Sequence, residues 1–148
     1  MIKITPFEIA DAEKVELREA DQWLTSWIPS QAILHKENGI GFTIKKNEQI
    51  IMCIGADVLW NGVGEVWALI SVHYRPLMFT MQRIVKEIIE SFFKVHGLHR
   101  LQSPIPESNG ESVRYAESFG FVREGVLKMF DSKKADYVMF ARYEQCHG

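Results

Sequence analysis

Several side chains in this 148-residue chain have types and spacings that could do chemistry. Glu65 heads a near-continuous apolar run, Glu65 to Val72. A carboxylate in such a place can take a proton from an ammonium group, directly or through water. The bland alternative is an exposed acid beside the Asn61-Gly62 turn. The run ends in Ser71-Val72-His73-Tyr74-Arg75-Pro76-Leu77-Met78-Phe79-Thr80, and a helical pattern follows. Free N–H groups and the helix dipole make such a strand–helix junction an anion site. This junction has no glycine. Arg75 could meet a phosphate as a charge-assisted donor, or simply be solvated. Pro76 has no N–H but suits the entry to a helix. Thr80 could cap the helix or hydrogen-bond a phosphate. Met78 brings bulk that could occupy the space a phosphate needs. His73 could act as an acid or base, although a surface histidine is the commoner case. His96 and His99 flank a turn but lack a cysteine or acidic partner at metal-binding spacing.

These residues need a scaffold, and hydrophobic periodicity outlines one. Ile2 and Ile4 begin a short strand before Pro6. Asp11 to Gln22 has the composition of a helix. Trp23, Leu24, Trp27 and Ile28 form an apolar cluster, and Ser30 to His35 suit a second short helix. Asn38-Gly39-Ile40-Gly41 breaks the chain. Three strands follow: Gly41 to Lys46, Ile50 to Trp60 and Glu65 to Val72. Polar Lys46-Asn47-Glu48 and the hairpin dipeptide Asn61-Gly62 separate them. Burial on both faces is expected of the third, as in a central strand.

Phe79 to Val95 is the clearest helix. Met81, Ile84, Val85, Ile88, Ile89 and Phe92 make its apolar stripe, and Gly97 stops it. Leu98 to Ile105 reads as a strand. Ser108 with Glu111 has capping-box spacing, and Asn109 is a rival N-cap for a helix running to about Phe119, with Gly120 after it. Val126 to Phe130 and Tyr137 to Tyr143 complete the strands. The strand–helix–strand unit from Glu65 to Ile105 implies a right-handed parallel crossover. The three strands before it imply an antiparallel meander, so the sheet is mixed, with helices packed on it.

The bulk numbers suit one domain, residues 1–148, with a sizeable core. Hydrophobic residues are 47% and charged residues 24%, with a formal net charge of −2. That balance offers no basic field for nucleic acid or an anionic membrane. No apolar run approaches the ~20 residues of a membrane-spanning helix. The start carries acids and does not look like a signal peptide. Cys53 and Cys146 suggest no metal motif, and a reducing, cytoplasmic setting is expected. Trp23, Trp27, Trp60 and Trp67 could line a pocket, with core packing the more usual job.

The element order, together with Asn109-x-x-Ser112, Gly120-Phe121 and Glu124-Gly125, resembles the GCN5-related N-acetyltransferase superfamily. The ending is similar to that of acetyltransferases acting on ribosomal-protein N-termini, and Asp136 suits the same pattern. The resemblance implies a three-layer α+β fold: a mostly antiparallel sheet of about seven strands, a central parallel pair and about four helices. It implies acetyl-CoA as cosubstrate, bound where the strands Glu65–Val72 and Leu98–Ile105 splay. The acceptor would be an amine on a small molecule, a lysine or a protein N-terminus, and a homodimer would fit.

By the same resemblance, Glu65 would be the general base, and backbone around Ile70, Ser71 and Val72 would pair with the pantetheine arm. Arg75, Met78, Phe79 and Thr80 would surround the pyrophosphate, with Met78 and Thr80 at the two usual glycine positions and a lead-in about two residues short. Asn109 would contact the cofactor arm and Ser112 the pantetheine or adenine side, although both also cap helices well. The family's acidic tyrosine position falls on Ala116. Tyr115 lies one residue earlier, ~100° round a helix, and is expected to face elsewhere.

A second likeness is to small acetyltransferase-like proteins of tailed bacteriophages, in the stretch from Glu65 to Phe130. Some of those are internal virion proteins. It supports an alternative, a catalytically silent protein that keeps the fold for binding or assembly.

Overall fold

The computed structural model of the chain describes residues 1–19, 21, 37 and 39–145. Its elements are β1 (Ile2–Pro6), α1 (Ile9–Lys14), β2 (Gly39–Lys46), β3 (Gln49–Trp60), β4 (Val63–Ile70), a 3₁₀ turn (Arg75–Leu77), α2 (Met78–Lys94), β5 (Arg100–Pro106), α3 (Gly110–Ser118), β6 (Val122–Leu127) and β7 (Tyr137–Tyr143). The seven strands form one mixed sheet, ordered β1-β2-β3-β4-β5-β7-β6. Its one parallel pair, β4 with β5, sits in the middle. This is the expected fold class, with three α-helices among the described residues against about four expected. The expected helix at Ser30 to His35, the Trp23, Leu24, Trp27 and Ile28 cluster, and Cys146 lie outside the described residues.

Two layers of apolar side chains clamp the sheet. On one face α2 buries Met81, Val85, Ile88, Ile89, Phe92 and Phe93 against Met52, Ile54, Ile70, Leu101 and Phe140. Each such side chain contributes about 1.5–3 kcal/mol when fully buried, so this helix anchors the sheet. On the other face Ala12 of α1 and the flanking Phe7, Val15 and Leu17 cover Ile50, Cys53 and Leu69. Strand β4 alternates between the layers, with Leu69 in one and Ile70 in the other. No helix among the described residues is long and apolar enough to cross a membrane.

Two elements differ from expectation by more than two residues. The first helix stops at Lys14 rather than Gln22, with Val15 already extended (φ −74°, ψ 125°). Leu17 bridges to Ser71, and the Val72 N–H donates to the Glu16 carbonyl at 2.8 Å. Pairing with the end of β4, together with burial of Val15 and Leu17, overrides the helix propensity of this stretch. Strand β6 begins at Val122 and ends at Leu127, instead of spanning Val126 to Phe130. It is an edge strand exposed along almost its whole length, so apolar periodicity does not mark it. Met129 has φ +50° and donates its N–H to Asp136 Oδ1, which turns the chain before Phe130.

The middle of the sheet explains itself through backbone donors. The Arg100 N–H donates to the Gly62 carbonyl, while the Glu107 N–H donates to the Asp136 carbonyl beyond β7. By alternation, the nitrogens of Gln102, Pro104 and Pro106 face β4. The β4–β5 ladder runs through Val63↔Arg100, Gly64↔Leu101 and Glu65↔Gln102, then stops. The next donor would be Pro104, which has no N–H, and the one after is Pro106. The two strands therefore part after Glu65. On the β4 side, the Ser71 N–H goes to Ile51 on β3, so Val66, Ala68 and Ile70 turn their backbone groups into the gap.

Candidate active site

The parting of β4 and β5 opens a cavity of about 700 Å³ that reaches both faces of the sheet. On the α2 face its walls are apolar: Met52 and Ile54 of β3, Val85 and Ile89 of α2, and Phe119 and Phe121 around the end of α3. On the α1 face it meets Asp57, Glu65, Trp67 and Arg18. The indole of Trp67 lies flat enough on the sheet that a Cβ at Gly55 would sit 2.6 Å from it. Phe7 packs edge-on to that indole, ring centroids 4.9 Å apart.

Glu65 is half-buried and directly opposite Asp57 of β3 and Gln102 of β5. Gln102 Nε2 donates to Glu65 Oε1 at 3.2 Å. Gln102 Oε1 accepts from Arg100 Nε at 3.0 Å, and both Arg100 terminal nitrogens donate to Glu124, at 2.9 and 2.6 Å. Tyr143 Oη also donates to Glu124. The Arg100 fork, and secondly Tyr143, hold the Glu124 carboxyl down at about 2. Asp57 is a residue that sequence reasoning missed. From the Asn61-Gly62 turn a regular hairpin would set Val58 opposite Glu65. A bulge between Val58 and Trp60 shifts the register by one and brings Asp57 there instead. Gly62, at φ +84°, makes the turn, and the His99 ring lies where its Cβ would be.

Helix α3 contributes a stripe to the cavity at helical spacing: Ser112, Tyr115, Ala116 and Phe119. Its N-cap is Asn109, whose Oδ1 accepts the Ser112 N–H at 3.2 Å, so the rival N-cap prevails over Ser108. Tyr115 corrects an expectation. It does not face elsewhere but lies on the cavity wall beside Ala116. Its hydroxyl bonds to Tyr74 Oη at 2.8 Å and reaches Met52 Sδ at 3.9 Å. Burial, and then the neighbouring Tyr74, hold its proton on well above the ordinary phenol value. Tyr74 is likewise shifted upward by burial.

The junction after β4 is built differently. Ser71 is buried, and its carbonyl and Oγ accept the N–H groups of Tyr74 and His73, each at 3.1 Å. The Leu77 N–H goes to the Tyr74 carbonyl and the Met78 N–H to the Arg75 carbonyl. The 3₁₀ turn thus runs straight into α2, with the Leu77 and Met78 donors spent locally, while among the described residues no side chain caps the start of α2. Arg75 and Phe79 are exposed, Phe79 at 90%. Met78 is 43% exposed, so it is not a core plug.

Of the sequence candidates, the fold brings Glu65, Ile70, Asn109 and Ser112 together on the cavity wall. Ser71, Val72, Arg75, Met78, Phe79 and Thr80 stand apart, at or before the start of α2. Val72 is exposed, and its gap-facing N–H is taken by Glu16. His73 sits at the surface between Gln49 and Glu16, at 3.0 and 3.2 Å. Trp60 is 64% exposed at the hairpin end, in neither core nor cavity. Burial pushes the Cys53 thiol up to about 12, which removes it as a nucleophile. Among the described residues no cluster of His, Cys, Asp and Glu could hold a metal ion.

No family model and no curated protein matches this chain. Solved structures do. Ard1 from Thermoplasma volcanium superposes with a TM-score of 0.78 at 16% identity, over 97% of this chain and 98% of that one. The ribosomal-protein-S5-alanine acetyltransferase of Vibrio fischeri gives 0.69 at 20% identity, over 96% and 92%. Mutant forms of the spermidine/spermine N-acetyltransferase SpeG from Vibrio cholerae give 0.71 at 14%, over 97% and 95%. The fold is that of the GCN5-related N-acetyltransferases. At these identities the likeness is one of fold. The phage likeness rests on the sequence alone.

Proposed function

We propose that this protein is an N-acetyltransferase that moves an acetyl group from acetyl-CoA directly to a primary amine. The observation that carries this reading is the cavity through the parted β4–β5 pair, apolar on the α2 face and carboxylate-lined on the α1 face. Bound acetyl-CoA supplies an activated thioester carbonyl. The backbone of Val66, Ala68 and Ile70, turned into the gap, supplies an edge on which an extended amide-containing arm can pair. Glu65 accepts the proton of the incoming ammonium from the opposite face, so that a free amine attacks. As the C–N bond forms and the C–S bond breaks, Tyr115, which keeps its proton until then, gives it to the leaving CoA thiolate. Asn109 and Ser112 border the arm. The fit is good for the arm and poorer at the junction, where the Leu77 and Met78 donors are spent and Pro76 has none. An amine acceptor of the kind in the neighbours' names, spermidine/spermine or a ribosomal-protein alanine, suits the Asp57 and Glu65 carboxylates.

The poorer fit favours a second reading, a silent protein that keeps the fold for interaction, as the phage likeness suggests. Isothermal titration with acetyl-CoA separates the two, with Met78→Gly alongside. Micromolar binding by the wild type supports the enzyme. Binding by the variant alone means an intact cleft with a closed junction. Binding by neither, even at millimolar acetyl-CoA, overturns the enzyme reading.

A further inference from the structure

We infer that Gln102 is a positioning residue for Glu65, and that Arg100 and Glu124 lock its amide the right way round. The inference rests on Glu65 being the base. A glutamine amide has two nearly isosteric ends, one donor and one acceptor, and either can turn toward a neighbour. Beside a carboxylate only the NH₂ end is favourable. Gln102 lies between Glu65 on β4 and Arg100, two residues back on its own strand. The guanidinium has no acceptor, so Arg100 Nε must face Gln102 Oε1, as it does at 3.0 Å. The NH₂ end is thereby committed to Glu65 Oε1, at 3.2 Å. Arg100 is itself held by the two-point grip of Glu124 and lies over the Tyr143 ring, 5.9 Å from its centroid.

The chain of contacts crosses the sheet from β6 to β4. It gives work to Glu124, a residue that the Glu124-Gly125 pattern singles out but to which no role was attached. Its consequence for Glu65 is geometric. One oxygen is occupied and the carboxylate plane is set, which leaves the other oxygen for a water or an ammonium. Among the described residues the charged groups near Glu65 are Asp57 on β3, the Arg18–Asp21 ion pair on the same cavity wall, Arg100 on β5 and, behind it, Glu124 on β6, whose carboxylate also meets the Tyr143 hydroxyl.

The test reads the Gln102 amide itself, without a known acceptor. Proton–nitrogen NMR of the full chain, with the Gln102 side-chain NH₂ assigned by Gln102→Leu, follows its two protons. In the wild type the proton bound to Glu65 should lie well apart from the other, and Glu65→Leu should collapse that separation. Arg100→Lys keeps the charge but loses the fork, and should free the amide to turn and narrow the separation. An amide signal unchanged in a folded Arg100→Lys overturns the lock, and one unchanged in a folded Glu65→Leu overturns the contact with Glu65. With an acceptor in hand, Gln102→Leu should lower kcat with KM for the thioester unchanged. If Glu65→Gln retains full activity, the base reading fails on its own, and the NMR result still stands or falls separately.

Discussion

The gap between β4 and β5 and the junction between β4 and α2 follow one another along the chain, and they handle backbone donors in opposite ways. At the gap, Pro104 and Pro106 remove donors from β5, so β4 keeps its groups turned into an open cavity. At the junction, Ser71, Tyr74 and Arg75 accept N–H groups from the next few residues and wind the chain into a closed turn. One region is recognisable as a ligand channel because pairing is prevented. The other has the position of an anion site but spends the His73, Tyr74, Leu77 and Met78 donors on itself. An open site therefore depends on withheld hydrogen bonds as much as on the side chains that line it.

That contrast can be broken at several points. The largest effect is expected from Glu65→Gln, which should lower kcat about 100-fold or more if it is the base, read as the rate of acetyl transfer to a responsive amine. An unchanged rate would leave the gap with a wall but no base. Next is Gly55→Ala. The added methyl meets the Ile40 carbonyl oxygen and, at 2.6 Å, the Trp67 indole, and should cost roughly 1–3 kcal/mol, measured by denaturant unfolding. A neutral result would mean that the β2 backbone and Trp67 both yield and the α1-side wall is soft.

Pro104→Val restores one donor facing β4. It should extend the ladder, narrow the gap and weaken acetyl-CoA binding about tenfold, roughly one net hydrogen bond gained by the closed sheet. Calorimetry would reveal this, and unchanged affinity would locate the cause of the parting elsewhere. The smallest effect concerns Glu124. Its folded value is depressed from 4.5 to about 2, so its stabilising contribution is present above 4.5 and is lost as pH falls through about 2. The group is part-exposed, which limits the contribution to less than ~1 kcal/mol. Unfolding of wild type and Glu124→Gln across that range should converge at the acid end.

Much of the fold was legible because its signals are local and repeated. The stripe on α2, the Asn61-Gly62 turn and the Gly97 and Gly120 stops each need only a few neighbouring residues to be read. The errors lie where a distant partner decides. Glu16 and Leu17 leave the helix because the end of β4 offers them a pairing edge, and β6 is strand because β7 lies beside it, not because its own residues alternate. Tyr115 was misjudged by carrying over a family position. Ser112, Ala116 and Phe119 share its spacing and could have placed it on the cavity stripe.

By itself, then, the amino-acid sequence determined most of the strands and the long helix, the mixed sheet with its parallel crossover, Glu65 on the central strand and the glycine-free junction. It also held the two prolines that part the strands, since a missing N–H is a property of the residue. Only the tertiary structure decided that Asp57 rather than Val58 faces Glu65, and that Gln102, Arg100 and Glu124 line up behind it. It likewise decided that Tyr74 and Tyr115 meet. Each of these depends on the register and twist that bring separate strands to one place, and a one-residue bulge is enough to change the answer.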